Sequence, residues 1–436
     1  MKYYSTNRSV PEASLSEAVI KGLAPDRGLY MPAGINPLPQ AFFRDMQRMT
    51  FQEISHAVAE AFFGEDVPAG ELREIVYDAL SFDTPVVPVT EDIYSLELFH
   101  GPTLAFKDVG ARFMARMLRY FVSREGDGRP VTVLVATSGD TGSAVANGFL
   151  GVEGIDVVVL YPKGKVSEIQ EKQFATLGRN ITALEVDGTF DDCQRLVKAA
   201  FLDEELNGKF RLSSANSINV ARFLPQAFYY FHAYAQLQRL GKAENVVFCV
   251  PSGNFGNLTA GLFARRMGLP VKRFIAANNR NDIFLEYLKT GEYAPRASVA
   301  TLANAMDVGD PSNFARIYDL YGGSHEAVCR EIGGYRYTDD EIREIMRETY
   351  RKTGYVLDPH GACGFGALRN GLQPGETGVF LETAHPAKFR DTVEAAIGAP
   401  VEMPERLRKF MEGDKRSIGV SSAFRDFKAF LLAREA

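Results

Sequence analysis

The sequence predicts an α/β protein in which two βα domains with parallel-rich sheets follow a helical N-terminal section. From about residue 130, short β-branched runs alternate with amphipathic helical stretches, which is typical of βα units around a parallel sheet. The predicted strands cover residues 131–136, 155–160, 181–186, 245–250 and 271–276. The first hundred residues lack this alternation and show helical stretches at 15–23 and 51–63 instead.

The length of 436 residues indicates more than one hydrophobic core. We expect an N-terminal helical section over 1–95, a smaller βα domain over 96–225, a larger βα domain over 226–400 and a helical C-terminal tail over 401–436. Residues 291–335 are glycine-rich and irregular, so they are predicted to form a large loop region near an active-site mouth.

The composition indicates a globular protein of the reducing cytoplasm. A net charge of −6 and the lack of a lysine- or arginine-rich block argue against a nucleic-acid partner. No apolar run reaches membrane-spanning length, and no signal segment is evident at the N-terminus. The four cysteines lack the spacing of a metal or redox motif, so no metal site is expected. Cys249 and Cys329 lie in apolar sequence and are predicted to be buried free thiols.

Lys107 is the first candidate for chemistry. Residues 100–108 read His-Gly-Pro-Thr-Leu-Ala-Phe-Lys-Asp, which places Lys107 between an apolar loop and a helix start, with Asp108 as the expected N-cap. The helix dipole and the apolar neighbours both lower the pKa of the lysine. The resulting neutral amine can form a Schiff base with an aldehyde. The alternative is an ordinary surface lysine at a helix start.

A second candidate is the turn at 251–257, Pro-Ser-Gly-Asn-Phe-Gly-Asn, which joins the predicted strand 245–250 to a helical stretch. Free backbone amides converge at such a turn and can bind a phosphate. It lacks the three-glycine spacing of a dinucleotide site and the Gly-Lys-Ser/Thr of a Walker loop. A reactive lysine with a separate phosphate cup suggests pyridoxal phosphate. The cup residues are Gly253, Asn254, Phe255, Gly256 and Asn257.

Five ordered motifs, at 100–108, 137–143, 216–219, 251–257 and 382–389, resemble the long bacterial and fungal type of the threonine synthase family. The resemblance covers nearly the whole chain, including residues 1–6 and 22–30. It implies the tryptophan-synthase-like fold, known as fold type II of pyridoxal-phosphate enzymes. It further implies a lyase that converts O-phospho-L-homoserine and water to L-threonine and phosphate, the last step of threonine biosynthesis, with Lys107 bonded to the cofactor.

The resemblance also assigns the loop 137–143, which lies between a predicted strand and a helix. It implies that Thr137, Ser138, Thr141 and nearby amides bind the amino-acid carboxylate, while Asp140 faces the ring oxygen of the cofactor. In the wider fold family a neutral side chain is common at that position, whereas Asp140 can only accept a hydrogen bond unless it is protonated. The structural alternative is a helix start capped by Asp140 or Thr141.

Three further assignments concern the pyridine ring and the substrate. Thr383 is implied to hydrogen-bond the pyridine nitrogen, unless it merely caps the next turn. Residues 216–219 open a predicted helix over 220–240, and such a start with a nearby guanidinium suits a phosphate ester. The resemblance makes Asn216, Ser217 and Arg222 ligands of the substrate phosphate, whereas an N-cap with a surface arginine is the plain alternative.

Lys388 and His385 are expected in an exposed loop, although Lys388 could add positive charge near a substrate phosphate. His100 is expected to orient the backbone rather than to act as a base. We expect a monomer or a homodimer. One rival function is a serine or threonine dehydratase-like lyase of the same fold, which needs no second phosphate site. The other is an inactive threonine-synthase-like binding protein, which would be favoured if Lys107 were replaced, and it is not.

Overall fold

The computed structural model describes residues 1–125 and 130–434. These residues form a two-stranded sheet, a six-stranded sheet and a five-stranded sheet, with helices packed around them. The strands are β1 (Tyr3–Ser5), β2 (Tyr30–Pro32), β3 (Val86–Pro88), β4 (Ile93–Glu97), β5 (Val131–Ala136), β6 (Ile155–Pro162), β7 (Ile181–Asp187), β8 (Arg211–Ser214), β9 (Val246–Pro251), β10 (Val271–Asn278), β11 (Ile332–Arg336), β12 (Thr377–Glu382) and β13 (Ser417–Ser421).

The helices alternate with the strands from β5 onward. They are α1 (Leu15–Lys21), α2 (Gln40–Asp45), α3 (Phe51–Phe63), α4 (Ala69–Ala79), α5 (Lys107–Glu125), α6 (Asp140–Phe149), α7 (Glu168–Ala175), α8 (Phe190–Leu202), α9 (Glu204–Lys209), α10 (Val220–Phe223), α11 (Ala227–Arg239), α12 (Gly256–Arg266), α13 (Ile283–Thr290), α14 (Phe314–Leu320), α15 (His325–Glu331), α16 (Asp339–Thr353), α17 (Pro359–Gly371), α18 (Arg390–Ile397), α19 (Glu405–Met411) and α20 (Phe424–Ala433). Short 3-10 turns cover Met46–Arg48, Leu224–Gln226, Asn304–Met306 and Pro386–Phe389.

The six-stranded sheet has the order β11-β10-β9-β12-β4-β3 and is parallel except for the β3–β4 pair. Strands β9 and β12 are buried along their whole length, as expected for a parallel sheet covered by helices on both faces. All five strands predicted from the sequence are present, and the predicted α/β fold class is confirmed.

The five-stranded sheet has the order β13-β7-β6-β5-β8 and is parallel throughout. Its edge strand β13 comes from the C-terminal segment, for which the sequence predicted helices alone. That expectation is wrong for residues 417–421, because their backbone pairs with β7 from Ala183 to Asp187. The alternation within β13 is weak, since none of its five residues is fully buried. The domain limits given by the sequence remain a prediction.

The helical N-terminal section agrees with the sequence at α1 and α3. Helix α3 begins at a capping box in which Thr50 and Glu53 bond each other's backbone amides, and it buries Phe51, Phe62 and Phe63. These side chains belong to a continuous apolar core that includes residues of both large sheets. The N-terminal section therefore packs directly on the βα body.

Three local predictions are wrong. Residues 291–335 are not irregular throughout, since they contain α14, α15 and most of β11. The single helix predicted over 220–240 is interrupted by a 3-10 turn at Pro225, which lacks the N–H that a continuous helix requires. Cys249 is buried as expected, but Cys329 is exposed on α15.

Within residues 1–125 and 130–434, none of the helices combines the length and the apolar character needed to cross a bilayer. The loops that matter for function follow the carboxyl ends of β5, β8, β9 and β12 and enter a common region of the molecule. The carboxyl ends of parallel strands are the usual place for a binding site in such sheets.

Candidate active site

The sequence-predicted site residues converge on one cleft. Those that line it are Lys107, Thr137, Ser138, Thr141, Asn216, Ser217, Arg222, Gly253, Asn254, Phe255, Gly256, Asn257 and Thr383. A larger and more open hollow of about 500 Å³ lies beside Ile93, Phe365 and Leu372, but it contains none of these residues. The cleft is therefore the candidate active site.

Lys107 is the first residue of α5 rather than the residue before an N-cap. The expected capping role of Asp108 is wrong, because its carboxylate turns back to the preceding loop. There it accepts hydrogen bonds from the amide of Thr103 at 2.9 Å and from the Thr103 hydroxyl at 2.6 Å. Asp108 thus fixes the loop that places the Lys107 side chain in the cleft.

The same loop is held against the segment after β12. The amide of Phe106 donates to the carbonyl of Thr383 at 2.9 Å, and the amide of His385 donates to the carbonyl of Leu104 at 3.1 Å. Leu104 adopts a left-handed backbone with φ of 57° to make this approach. These two bonds fix Thr383 beside Lys107.

The pKa of Lys107 is lowered to about 8, chiefly by burial and further by the positive charges of Arg222 and Lys388, while Asp140 acts in the opposite direction. The direction agrees with the sequence-based expectation, but the neighbouring cations were not foreseen. A substantial neutral fraction of Lys107 is thus present near pH 8. Its side chain is half-buried in the cleft wall, where a ligand can reach it.

The glycine- and asparagine-rich turn forms the start of α12. Phe255, the N-cap, adopts a left-handed backbone with φ of 62°. In the described part of the chain, no protein acceptor pairs with the amides of 253–257. The side chain of Asn257 donates to the carbonyl of Pro251 at 3.0 Å, and that of Asn254 donates to the Ser217 hydroxyl at 2.8 Å. The backbone amides, more than the asparagine side chains, are therefore available to an anion.

Residues 304–308 cover the cup. They lie within the 291–335 region that the sequence placed near the active-site mouth, but none of them was singled out as a site residue. A Cβ at Gly253 would lie 2.7 Å from the carbonyl oxygen of Ala305, so glycine is what permits this close approach. His360 also lines the cleft, and its Nε2 accepts from the amide of Ala305 at 3.2 Å. Its Nδ1 contacts Asp358 at 2.7 Å. The only feature of the sequence that could have indicated a role for His360 is the run Asp358-Pro359-His360 at a helix start.

The loop after β5 is shaped by Thr137, whose hydroxyl oxygen accepts from the amides of Gly139 and Gly142 at 2.9 and 2.8 Å. Gly139 has φ of 144°, and its Cβ would collide with the side chain of Gln170. Gly139 itself is the N-cap of α6, so the alternative of Asp140 or Thr141 as cap is wrong. Ser138 and Thr141 line the cleft, as expected.

Asp140 lies next to the cleft but is not one of its lining residues. Its carboxylate is 2.6 Å from the amine of Lys388 and accepts from Gln170 at 2.9 Å. Burial raises the pKa of Asp140, but Lys388 and Lys107 more than offset this and hold the pKa below its usual range. The expectation that Lys388 lies in an exposed loop is wrong, since its side chain is completely buried where it forms this ion pair.

His385 was also expected in an exposed loop, and it is half-buried. Burial lowers the pKa of His385 to about 4, so the ring is neutral near pH 7. Its Nδ1 accepts from the amide of Ala387 at 3.1 Å, and the ring packs edge-on against Phe99. His385 thus stabilises the turn that carries Lys388.

The segment after β8 supplies a second polar region of the cleft. The Ser217 hydroxyl accepts from Asn254 and from Asn313 at 2.8 and 3.1 Å. Arg222 is buried, which excludes the alternative of a surface arginine. Its Nε donates to the carbonyl of Ala215 at 2.7 Å and its Nη1 to the carbonyl of Lys107 at 3.0 Å. Within the described residues, Nη2 has no protein acceptor.

The chain matches known proteins along its length. Residues 81–383 match the family described as "Pyridoxal-phosphate dependent enzyme", residues 2–80 "Threonine synthase N terminus" and residues 361–431 "Threonine synthase, C-terminal". A threonine synthase of Serratia marcescens is 45% identical over 436 residues, covering 100% of both chains.

Two solved structures share the fold. The threonine synthase structure from Escherichia coli has a TM-score of 0.93 and 44% identity, covering 100% of each chain. A structure described as PLP-bound threonine synthase from Brucella melitensis has a TM-score of 0.91 and 36% identity, covering 99% of this chain and 98% of that one.

The fold and the cleft thus define a pyridoxal-phosphate-dependent enzyme of fold type II. The chain belongs to the threonine synthase family. The predicted threonine synthase function, the lyase class acting on a phosphate ester and the cofactor pyridoxal phosphate are confirmed. The roles of individual residues remain predictions.

Proposed function

We propose that the cleft converts O-phospho-L-homoserine and water to L-threonine and phosphate, with pyridoxal phosphate held between Lys107 and the amides of 253–257. The observation that carries this proposal is that one cleft contains Lys107 together with two separate anion-binding regions. The first is the start of α12, and the second is the region of Ser217 and Arg222. A cofactor phosphate and a substrate phosphate each require such a region.

The residues present fit pyridoxal phosphate. Lys107 has the lowered pKa needed for a bond to the cofactor aldehyde, and five consecutive amides at 253–257 suit its phosphate. Thr383 lies beside Lys107 with a hydroxyl suited to the pyridine nitrogen. When bound, pyridoxal phosphate supplies the electron sink for the reaction.

The protein side of the reaction is binding and proton transfer. Ser138, Thr141 and amides of the same loop bind the substrate carboxylate. The Lys107 amine accepts the proton from Cα of the substrate, a Cβ proton leaves next, and protons are returned to Cγ and Cα in later steps. The Arg222 Nη2 atom and the polar groups at 216–217 hold the substrate phosphate, so that its negative charge is stabilised as it leaves Cγ. Water then adds at Cβ.

A direct assay separates this reaction from its rival. The purified chain, loaded with pyridoxal phosphate, is expected to release phosphate and threonine in equal amounts from O-phospho-L-homoserine. A dehydratase would instead form keto acid from serine or threonine. Brisk keto-acid formation with no phosphate released from O-phospho-L-homoserine would overturn the proposal. An inactive binding protein would give neither product.

The location, the oligomeric state and the partners of the enzyme are also proposals. A cytoplasmic location, a monomer or homodimer and the lack of a nucleic-acid partner stay predictions from the sequence, the last supported by the net charge of −6. Sedimentation equilibrium of the loaded enzyme tests the oligomeric state, and a tetramer or larger species would contradict it.

A further inference from the structure

A buried ion pair beside the cleft has no part in the reaction as described so far. The Lys388 amine lies 2.6 Å from Oδ1 of Asp140, and neither side chain is more than 3% exposed. We propose that Lys388 and Asp140 form one positioning unit, in which Lys388 neutralises Asp140 so that the Lys107 amine can remain uncharged. This inference rests on the proposed role of Lys107 and adds two residues that act through it.

The contacts of Lys388 join its own turn to two other segments. Besides Asp140 at the start of α6, its amine donates to the carbonyl of Thr103 at 2.9 Å. Thr103 in turn donates to Asp108, the neighbour of Lys107 in α5. Lys388 itself lies in the 3-10 turn that follows Thr383. The pair is therefore built into the loops that fix the position of Lys107.

Two glutamines of α7 complete the unit. Gln170 donates to Oδ1 of Asp140 at 2.9 Å, and Gln173 donates to the carbonyl of Thr103 at 3.0 Å. Both glutamines are buried. Neutral donors thus restrain Asp140 and Thr103 in addition to Lys388. Because these donors remain when a charge is removed, we expect no large rearrangement of the loops in the charge variants.

The charges around Lys107 explain why Asp140 needs a partner. The groups acting on the Lys107 amine are Asp140, Arg222 and Lys388, from three elements packed around the start of α5. Farther along the wall, Asp108 is bound to Thr103, Asp307 accepts from the Thr301 hydroxyl, and His360 is held by Asp358 and the amide of Ala305. A buried carboxylate without Lys388 would attract a proton to the other amine that acts on it, which is Lys107.

The two members of the pair act on Lys107 with opposite sign. The negative charge of Asp140 raises the pKa of Lys107, whereas the positive charge of Lys388 lowers it. Since the two charges lie 2.6 Å apart, their effects at a third group largely cancel. Burial then remains the dominant influence on the pKa of Lys107. The Lys107 amine can therefore be reactive at moderate pH without an unpaired buried charge beside it.

The test compares Lys388→Met, Asp140→Asn and the double variant in the full-length chain. The pH dependence of acetylation of Lys107 by acetic anhydride, followed on its peptide by mass spectrometry in cofactor-free protein, reports the neutral fraction. Lys388→Met should reduce that fraction about fivefold at pH 8, and Asp140→Asn should increase it about fivefold at pH 7. The double variant should return to within about twofold of the original chain.

The matched control is Lys289→Met, which removes an exposed lysine that is paired with Glu286 and does not line the cleft. It should leave the acetylation profile of Lys107 unchanged. Circular dichroism checks folding, and if Lys388→Met does not fold, the comparison of Asp140→Asn with the double variant carries the test. Unchanged profiles in folded variants, or a double variant no closer to the original chain than the single ones, would overturn the proposal.

The same variants separate this proposal from that for Lys107 itself. Each is loaded with pyridoxal phosphate and reduced with borohydride, and the labelled peptide is identified. Label on a lysine other than Lys107 would contradict the proposed function, while the acetylation profiles would still decide whether the pair controls the charge of Lys107.

Discussion

Lys107 gains its reactivity from surroundings that the chain assembles from distant segments. Its pKa is lowered to about 8 by burial and by the charges of Arg222 and Lys388. Arg222 also donates to the Lys107 carbonyl, so one guanidinium both repels the ammonium form and holds the backbone of the lysine. The position and the protonation state of Lys107 therefore depend on the same neighbours.

The rate of cofactor capture should follow the neutral form of Lys107. Below pH 8 the amine becomes protonated, so the rate of pyridoxal-phosphate binding to cofactor-free protein should fall about tenfold for each unit by which the pH is lowered. Above about pH 8 it should level off. Stopped-flow absorbance measures this rate. A rate that keeps rising to pH 10, as for an ordinary lysine, would contradict the lowered pKa.

Arg222 is expected to discriminate threonine synthesis from β-elimination. Replacing Arg222 by Ala removes a charge-assisted contact worth about 1.5–3 kcal/mol, which predicts a loss in kcat/KM for O-phospho-L-homoserine of about tenfold to a hundredfold or more. Arg222→Lys keeps the charge and should lose less. Both variants should still bind pyridoxal phosphate, as judged by visible absorption. An unaffected kcat/KM in Arg222→Ala would place the substrate phosphate elsewhere.

At the scale of elements, the cleft is made by loops that follow strands and begin helices. The turn before α12 approaches residues 304–308 so closely that a Cβ at Gly253 would contact the carbonyl of Ala305 at 2.7 Å. The turn before α6 requires a positive φ at Gly139. Glycine is needed in both turns for backbone geometry, in addition to leaving room for an anion.

Gly253→Ala should weaken cofactor binding at least about tenfold, because residues 304–308 must move away from the cup to accept the new methyl group. Equilibrium dialysis with pyridoxal phosphate measures the change. Gly70→Ala is the matched control, since a Cβ there meets no atom within 4 Å, and its cofactor affinity should not change. Equal affinities for Gly253→Ala and the original chain would show that the cup lies elsewhere.

The sequence predicted the elements that carry local signals and missed those that depend on distant contacts. The strand-to-helix turns, Lys107 and Arg222 stand in motifs that could be read directly. The burial of Lys388 could not, because its partner Asp140 is 248 residues away in a different βα unit. The capping role expected of Asp108 failed because Thr103 competes for its carboxylate, which propensity alone does not show.

For the whole molecule, the C-terminal segment completes the smaller sheet. Strand β13 pairs with β7, and α20 packs on the outer side with Phe427 and Leu431 fully buried. The segment was expected to form a helical tail, and it does contain the helices α19 and α20. The strand was missed because its residues are only partly buried and show little alternation.

Phe427→Ala should therefore destabilise the protein by about 3–5 kcal/mol, as for other fully buried phenylalanines. Urea unfolding followed by circular dichroism measures the free energy of unfolding. Phe430→Ala, in the same helix but only partly buried, is the matched control and should cost clearly less. Equal costs for the two variants would indicate that α20 does not dock as described.

The account as a whole depends on Lys107 as the residue that bonds to pyridoxal phosphate. The most direct test is to load the full-length chain with the cofactor, reduce it with borohydride, digest it and sequence the labelled peptide by mass spectrometry. We predict a single modified peptide, with the label on Lys107. Label on another lysine, such as Lys388, or no label on a chain that binds the cofactor, would contradict the account.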